Sequence, residues 1–303
     1  MMTAGIDIST SEWRTVLMES DGHIAGSFRI PTINRPPAEI SRDLATFFSG
    51  RNGKKMDVVL GVGGKGVVLR HLVLPRLERA DLLGVAGSEL ASQMNCSIDN
   101  SLFDCSVIED FEQDGISKVR VLAVSADRDG IVAAIETIGA GGGEVRAVEP
   151  AAFALLRYAD IMEKPAAGRF WVQLHENVIS VGVTADGRII FWRDVHQDTS
   201  LIGESGARSQ AAREQIVSEV MQSYDFFSTK HHQIVIDQAI LLSSFMAGGS
   251  LRESLAPALE LAMEDENPFV RLGASPNEYP ETDRAGTSAY VVAAGLAMRV
   301  LRS

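Results

Sequence analysis

One pattern occurs twice in this chain, and it limits the folds open to it. Residues 1–30 read as strand, turn, strand, turn, strand, and residues 169–192 repeat that order. In the first copy, Gly5 to Ile8 forms an apolar strand holding one carboxylate, and Ser9 to Ser11 forms a polar turn. Trp13 to Glu19 returns with apolar residues at Trp13, Val16, Leu17 and Met18, and Gly22 to Ile30 follows the Asp21-Gly22 turn. In the second copy, Arg169 to Leu174, Val178 to Thr184 and Arg188 to Trp192 are the strands, with Asp186-Gly187 as a turn. A chain that opens the same α/β layout twice is built as two copies of one architecture. Glu163 to Gly168 is the expected boundary, dividing 1–162 from 163–303.

The first half holds more than its partner. Ala38 to Phe48 has helical spacing, and Asp57 to Val62 is a β-branched strand. Val67 to Leu74 then reads as a strand and Arg79 to Met94 as an amphipathic helix. Leu102 to Ile108 and Lys118 to Ala126 read as strands joined by a hairpin at Asp110 to Gly115. That strand-helix-strand-strand unit, over about 67–140, is small enough to be an insertion. Gly61 to Gly66 lacks the ending and spacing of a P-loop and reads as a connection between subdomains. Pro150 to Met162 opens a helix with proline, where its missing N–H costs nothing. In the second half, helices are expected at Arg213 to Phe227, Ser250 to Met263 and Gly286 to Leu301, with a strand at Ile234 to Leu242.

Charge narrows the function classes. Lys plus Arg number 28 against 40 Asp plus Glu, a net charge of −12, which disfavours general nucleic-acid binding and adsorption to anionic lipid. Two cysteines, Cys96 and Cys105, support neither a disulfide framework nor a Cys-rich zinc site. The N-terminus lacks basic and apolar leader regions, and Ala289 to Leu301 is too short for a membrane span and contains Arg299. A cytoplasmic protein is expected, reaching a membrane only through a partner.

The stretch Gly5-Ile6-Asp7-Ile8-Ser9-Thr10-Ser11, with Arg14 beyond it, is the candidate chemical feature. A small-residue turn between strands can face a phosphate with its amides, and Asp7 could address a phosphate-bound cation. The same residues serve equally as a plain hairpin in which Asp7 bonds the turn.

The ordered pieces resemble the actin-like superfamily (RNase H-like, duplicated βββαβα halves) as it appears in PilM-type pilus assembly proteins, with the cell-division protein FtsA more distant. The similar stretches are Gly5 to Ile8, Val68 to Pro75, Val121 to Ala126, Val145 to Leu156 with Arg157, Phe191 to Val195 and Ala294 to Arg299. The resemblance implies an α/β fold with a strand-helix-strand-strand insertion in its first half. It also implies ATP with magnesium between the halves, at Asp7 (the metal position), Ser9, Thr10, Ser11, Arg14, Gln173, His175, Ser243 and Ser244. Further, it implies a place in the inner-membrane platform of a type IV pilus or type II secretion system. There such proteins hold the cytoplasmic N-terminal tail of a single-pass partner, PilN, in a groove between the first domain and its insertion. Leu82, Leu90 and Met94 are the expected groove residues, and a homo-oligomer is compatible with the chain.

The departures weigh on the nucleotide. Gln173-Leu174-His175 stands where the family has Asp-Ile-Gly, so the second carboxylate is lost and a side chain replaces a glycine that admits phosphate. Ser243-Ser244 replaces a Gly-Gly pair, and the stretch between Asp194 and Arg213 is short, implying a reduced outer subdomain. Weak or absent nucleotide binding, no efficient hydrolysis and no catalytic residue are expected. A sugar- or acid-kinase activity on the same architecture is the alternative, and would require intact phosphate loops. A filament-forming relative is a third reading.

Overall fold

Proline sets the start of the first helix and β-branched runs set the strands around it. The chain lays down β1 (Met2–Ile8), β2 (Glu12–Glu19), β3 (Ile24–Pro31), α1 (Pro37–Phe48) and β4 (Met56–Val62). Next come β5 (Val67–Pro75), α2 (Arg79–Met94), β6 (Ser101–Gln113), β7 (Ile116–Asp127), α3 (Arg128–Ala140), β8 (Gly143–Pro150) and α4 (Ala151–Ala159). The second half adds β9 (Gly168–Leu174), β10 (Val178–Ala185), β11 (Arg188–His196), α5 (Ala207–Lys230) and β12 (Ile236–Ser243). It closes with α6 (Gly248–Leu259), β13 (Ala262–Glu264), α7 (Pro268–Arg271) and α8 (Val291–Ala297). This computed structural model describes residues 2–9, 11–49, 55–94, 100–162, 168–175, 177–203, 206–243, 248–264, 266–275 and 286–299.

The duplication is exact in topology. One sheet runs β3-β2-β1-β4-β8 and another runs β11-β10-β9-β12-β13. In each, the first three strands pair antiparallel and the last two join parallel. That order and sense are those of an RNase H-like half. The second half buries one face of its sheet under α5 and α6, with Phe170, Val172, Leu174, Ile216, Val220, Phe227, Leu251 and Leu255 at the centre. In the first half, α1 buries Ile40, Ser41, Leu44 and Phe48, and the Ser41 hydroxyl donates to the Thr137 carbonyl at 2.9 Å.

Helix α8 packs on the first sheet although it ends the second half. Its sequence, Val-Val-Ala-Ala-Gly-Leu-Ala, is apolar all round and every residue is buried, as expected of a helix enclosed on all sides. A Cβ built at Gly5 of β1 would lie 2.0 Å from the Ala293 carbonyl oxygen, and one at Gly295 would lie 2.2 Å from that of Ala154 in α4. Two glycines thus let α8 touch both β1 and α4. Arg157 secures the crossing, donating to Glu149 at 2.8 and 3.0 Å and to the Gly295 carbonyl at 2.6 Å, and Arg299 also reaches Glu149.

Residues 65–135 form a second compact unit, the first comprising 1–64 and 136–303. Its three-stranded sheet runs β5-β7-β6, with α2 over one face. Leu82, Ala86 and Leu90 of α2 meet Leu72, Leu74, Cys105, Val119, Val121 and Ala123 there. Leu90 is fully enclosed, so Leu90→Ala is expected to cost about 3 kcal/mol, read as a lower urea midpoint of this unit.

Several sequence expectations need correcting. The helix expected at 250–263 ends at Leu259, because Glu260 turns left-handed with φ 54°, and Ala262–Glu264 pairs parallel with β12 as the fifth strand. The turn between β6 and β7 is only Asp114-Gly115, with φ 54° and 73°, so both strands run further than expected. Left-handed conformation at both central residues matches the right-handed twist of a hairpin. The last helix opens as a 3-10 turn, Thr287–Tyr290, before α8. Most of the expected boundary, 163–167, lies outside the described residues, as does Cys96.

Candidate functional site

Register places equivalent residues of the two halves. In the first sheet Asp7 lies opposite Arg14 and Gly61, and Arg14 lies opposite Arg29. In the second sheet Gln173 lies opposite Ser180 and Leu242, and Ser180 lies opposite Asp194. Asp7 therefore corresponds to Gln173, and Ser9 to His175. Strand alternation puts Asp7 on the same sheet face as Gly5, the face that α8 covers. The same alternation puts Gln173 and His175 on the face opposite the Phe170, Val172 and Leu174 core.

Three predicted residues share one electrostatic environment. Asp7 is buried, and desolvation lifts its carboxyl from 3.8 to about 7 against the opposing pull of the Arg14 guanidinium. Desolvation, then the positive charge of Arg14, lowers the His175 imidazole from 6.5 to about 4. Arg14 is itself buried, and Glu12 pairs with it and with Arg29. Among the described residues, Asp7 Oδ1, Gln173 Oε1 and His175 Nε2 are enclosed without a hydrogen-bond partner, as is Thr15 Oγ1. Alternation points Thr15 to the other face of the sheet. The His175 ring lies beside Gly63, where a Cβ would sit 3.8 Å from Cε1 and Nε2, and Ala151 Cβ would lie 3.6 Å from the same point.

The remaining predicted residues are differently placed. The Ser9 amide and hydroxyl both donate to the Glu12 carbonyl, at 3.0 and 2.8 Å, so they hold the turn closed. Ser11 accepts the Thr32 N–H on its carbonyl at 2.8 Å. Ser243 is buried, and its backbone exchanges bonds with the Ser288 hydroxyl at 3.3 and 3.4 Å. Thr10 and Ser244 lie outside the described residues, as does the side chain of Met94. Leu82 and Leu90 are buried core residues that pack against their own sheet. Gly63, Ala151 and the Ser180–Asp194 pair escaped the sequence reading. Ser180 donates to Asp194 Oδ1 at 2.6 Å and Trp192 Nε1 donates to it at 3.1 Å. Aligning the two repeats strand by strand would have found that pair.

Among the described residues, this donor set fits a magnesium nucleotide poorly. Magnesium takes ionised oxygen ligands, but burial biases Asp7 toward its neutral form and Gln173 carries no charge. Among the described residues, no group of three His, Cys, Asp or Glu converges to hold a metal. Phosphates need hydrogen-bond donors, and those of Ser9 are spent on Glu12.

Two RNase H-like halves, closed on each other by α4 and α8, define an actin-like fold. The sequence matches no protein-family model and no curated protein. The structure is similar to a chain of a PilM-PilN type IV pilus biogenesis complex, at 17% identity and a TM-score of 0.79, covering 99% of this chain and 98% of that one. It is also similar to the cytoplasmic domain of EpsL, an inner-membrane component of the type II secretion system of Vibrio cholerae. There the identity is 11% and the TM-score 0.55, over 90% of this chain and 92% of the other. A Bacteroides thetaiotaomicron protein with an actin-like ATPase fold matches at 11% identity and a TM-score of 0.51, over 90% and 96% of the two chains.

Proposed function

We propose that this protein is an actin-like scaffold in the inner-membrane platform of a type IV pilus or type II secretion system. It holds the cytoplasmic N-terminal tail of a PilN-like single-pass membrane protein and does not depend on nucleotide turnover. One observation carries the reading: the resemblance to the pilus-complex chain spans both halves and the inserted unit, at 99% coverage. The likeness to a second envelope-machine component, the EpsL cytoplasmic domain, supports the same class. Among the described residues no helix is long and apolar enough to cross a membrane, which suits attachment through a partner. On this reading the protein sits on the cytoplasmic side of the inner membrane. Burial that biases Asp7 toward its neutral form, with uncharged Gln173 at the equivalent position, favours a scaffold over a sugar or acid kinase, which must stabilise charge on a transferring phosphoryl group.

The test is capture. The purified chain should retain a detergent-solubilised PilN-like protein, and lose it when about ten N-terminal residues of that partner are removed. Equal retention of the truncated partner would overturn tail recognition. ATP turnover with a sugar or carboxylic acid as acceptor would instead support the kinase.

A further inference from the structure

A helix that is apolar on every side is normally enclosed on every side. Helix α8 follows that rule, with each of its residues buried. Helix α3 does not. Its sequence, Arg-Asp-Gly-Ile-Val-Ala-Ala-Ile-Glu-Thr-Ile-Gly-Ala, carries charge only at Arg128, Asp129 and Glu136. Ile131, Ala134 and Ile138 are buried on its inner face. On the opposite face Val132 and Ile135 are 42% and 37% exposed, and nothing lies within 4 Å of a Cβ built at Gly139. Spacings of three and four align Arg128, Val132, Ile135 and Gly139 in one outward stripe, with Glu136 on its flank. Single exposed apolar residues need no explanation; two on one stripe of an otherwise apolar helix leave a face for a partner to cover.

The charges indicate which partner. The stripe is basic at its N-terminal end and acidic toward its C-terminal end, and both charged residues are exposed. Among the described residues, neither Arg128 nor Glu136 forms an ion pair. Lay a second copy of the helix antiparallel, about a two-fold axis between Val132 and Ile135, and each Val132 meets the second copy's Ile135. The same operation brings the second copy's Glu136 within about one helical turn of Arg128, at both ends of the contact. A parallel arrangement would instead set like charges together. We propose that α3 is a self-association surface, through which two copies of this chain pair antiparallel as an isologous dimer centred on Val132 and Ile135. A 13-residue helix is about 20 Å long. A contact of that length is smaller than a stable obligate interface, so the dimer forms only at about 10 μM and above. The inference goes beyond the scaffold reading and does not depend on it.

The test is sedimentation velocity on the intact chain from about 1 to about 300 μM. The wild type should shift from monomer to dimer across that range. Val132→Lys, at an exposed position, should weaken the dimer at least about tenfold while keeping the wild-type circular dichroism. Arg128→Glu and Glu136→Arg should each weaken it about tenfold, because each sets like charges together at both ends. The double variant Arg128→Glu/Glu136→Arg exchanges the two charges and should recover to within about threefold of the wild type. A wild type that stays monomeric at the highest concentration would overturn the proposal. A dimer indifferent to Val132→Lys would place the contact elsewhere and overturn it too. Loss in both single charge variants without recovery in the double would overturn the antiparallel pairing.

Discussion

Gly295→Val is expected to cost at least about 4 kcal/mol, a large share of the stability of the unit formed by residues 1–64 and 136–303. The first added atom would lie 2.2 Å from the Ala154 carbonyl oxygen and 2.8 Å from its carbon. Both are backbone, so no rotamer change relieves the clash; α8 must move away from α4. Moving it also breaks the Arg157 bond to the Gly295 carbonyl and disturbs buried Glu149, whose carboxylate holds Arg157 and Arg299. Gly5→Val should behave alike, since its Cβ would meet the Ala293 oxygen at 2.0 Å and the Ala297 nitrogen at 2.5 Å. Gly139→Ala is the control. It lies in helix α3 with nothing within 4 Å of the new atom, so alanine should stabilise by about 0.5–1 kcal/mol. Urea unfolding with the three variants side by side decides it. A Gly295→Val midpoint matching the wild type would mean that α4 and α8 do not cross as described.

The steric demand at Gly5 and Gly295 shows what a sequence can and cannot disclose. Local chemistry was legible. Alternating and β-branched runs gave the strands, Asp186-Gly187 gave its turn, and the repeated three-strand opening gave the duplicated fold. Strand β13 was not legible, because three residues at the edge of a sheet carry no period and their exposure leaves no apolar stripe. The helical pattern before them ran on into it until Glu260 broke the helix by conformation rather than by composition. For the site, Asp7 and Arg14 could be paired from the hairpin alone. That His175 comes beside Gly63, 112 positions earlier in the chain, is set by the packing of one half on the other, which no local pattern encodes. Ser9 shows the converse: its residue type suits a phosphate turn, yet its donors close the turn on Glu12. Leu82 and Leu90 show a third case. An apolar helix face reads the same whether it waits for a partner's tail or for its own sheet.

The two buried titrating groups lead to the second large effect, an opposed tilt of the stability–pH profile in Asp7→Asn and His175→Gln. Asp7 is raised from 3.8 to about 7, so between those values the folded state holds a proton the unfolded state has released. Its contribution is fully present below pH 4 and is lost as pH rises through 7, on the order of 4 kcal/mol in all. His175 is lowered from 6.5 to about 4, so across that window the unfolded state holds the extra proton. Its contribution is present above pH 6.5 and is lost as pH falls through 4, on the order of 3 kcal/mol. In the wild type the two slopes offset between pH 4 and 6.5, and Arg14, which acts on both groups, is common to all variants. Asp7→Asn removes the falling slope and should gain stability relative to the wild type as pH rises from 4 to 7. His175→Gln removes the rising one and should lose stability relative to the wild type over 4 to 6.5. Chemical denaturation at half-unit pH intervals reads both differences, and parallel profiles for all three proteins would place these groups in water. Repeating the wild type and Asp7→Asn at pH 8 with millimolar magnesium adds an independent check. A cation bound by ionised Asp7 would stabilise only the wild type, by mass action, whereas the donor-poor site leads us to expect no change in either.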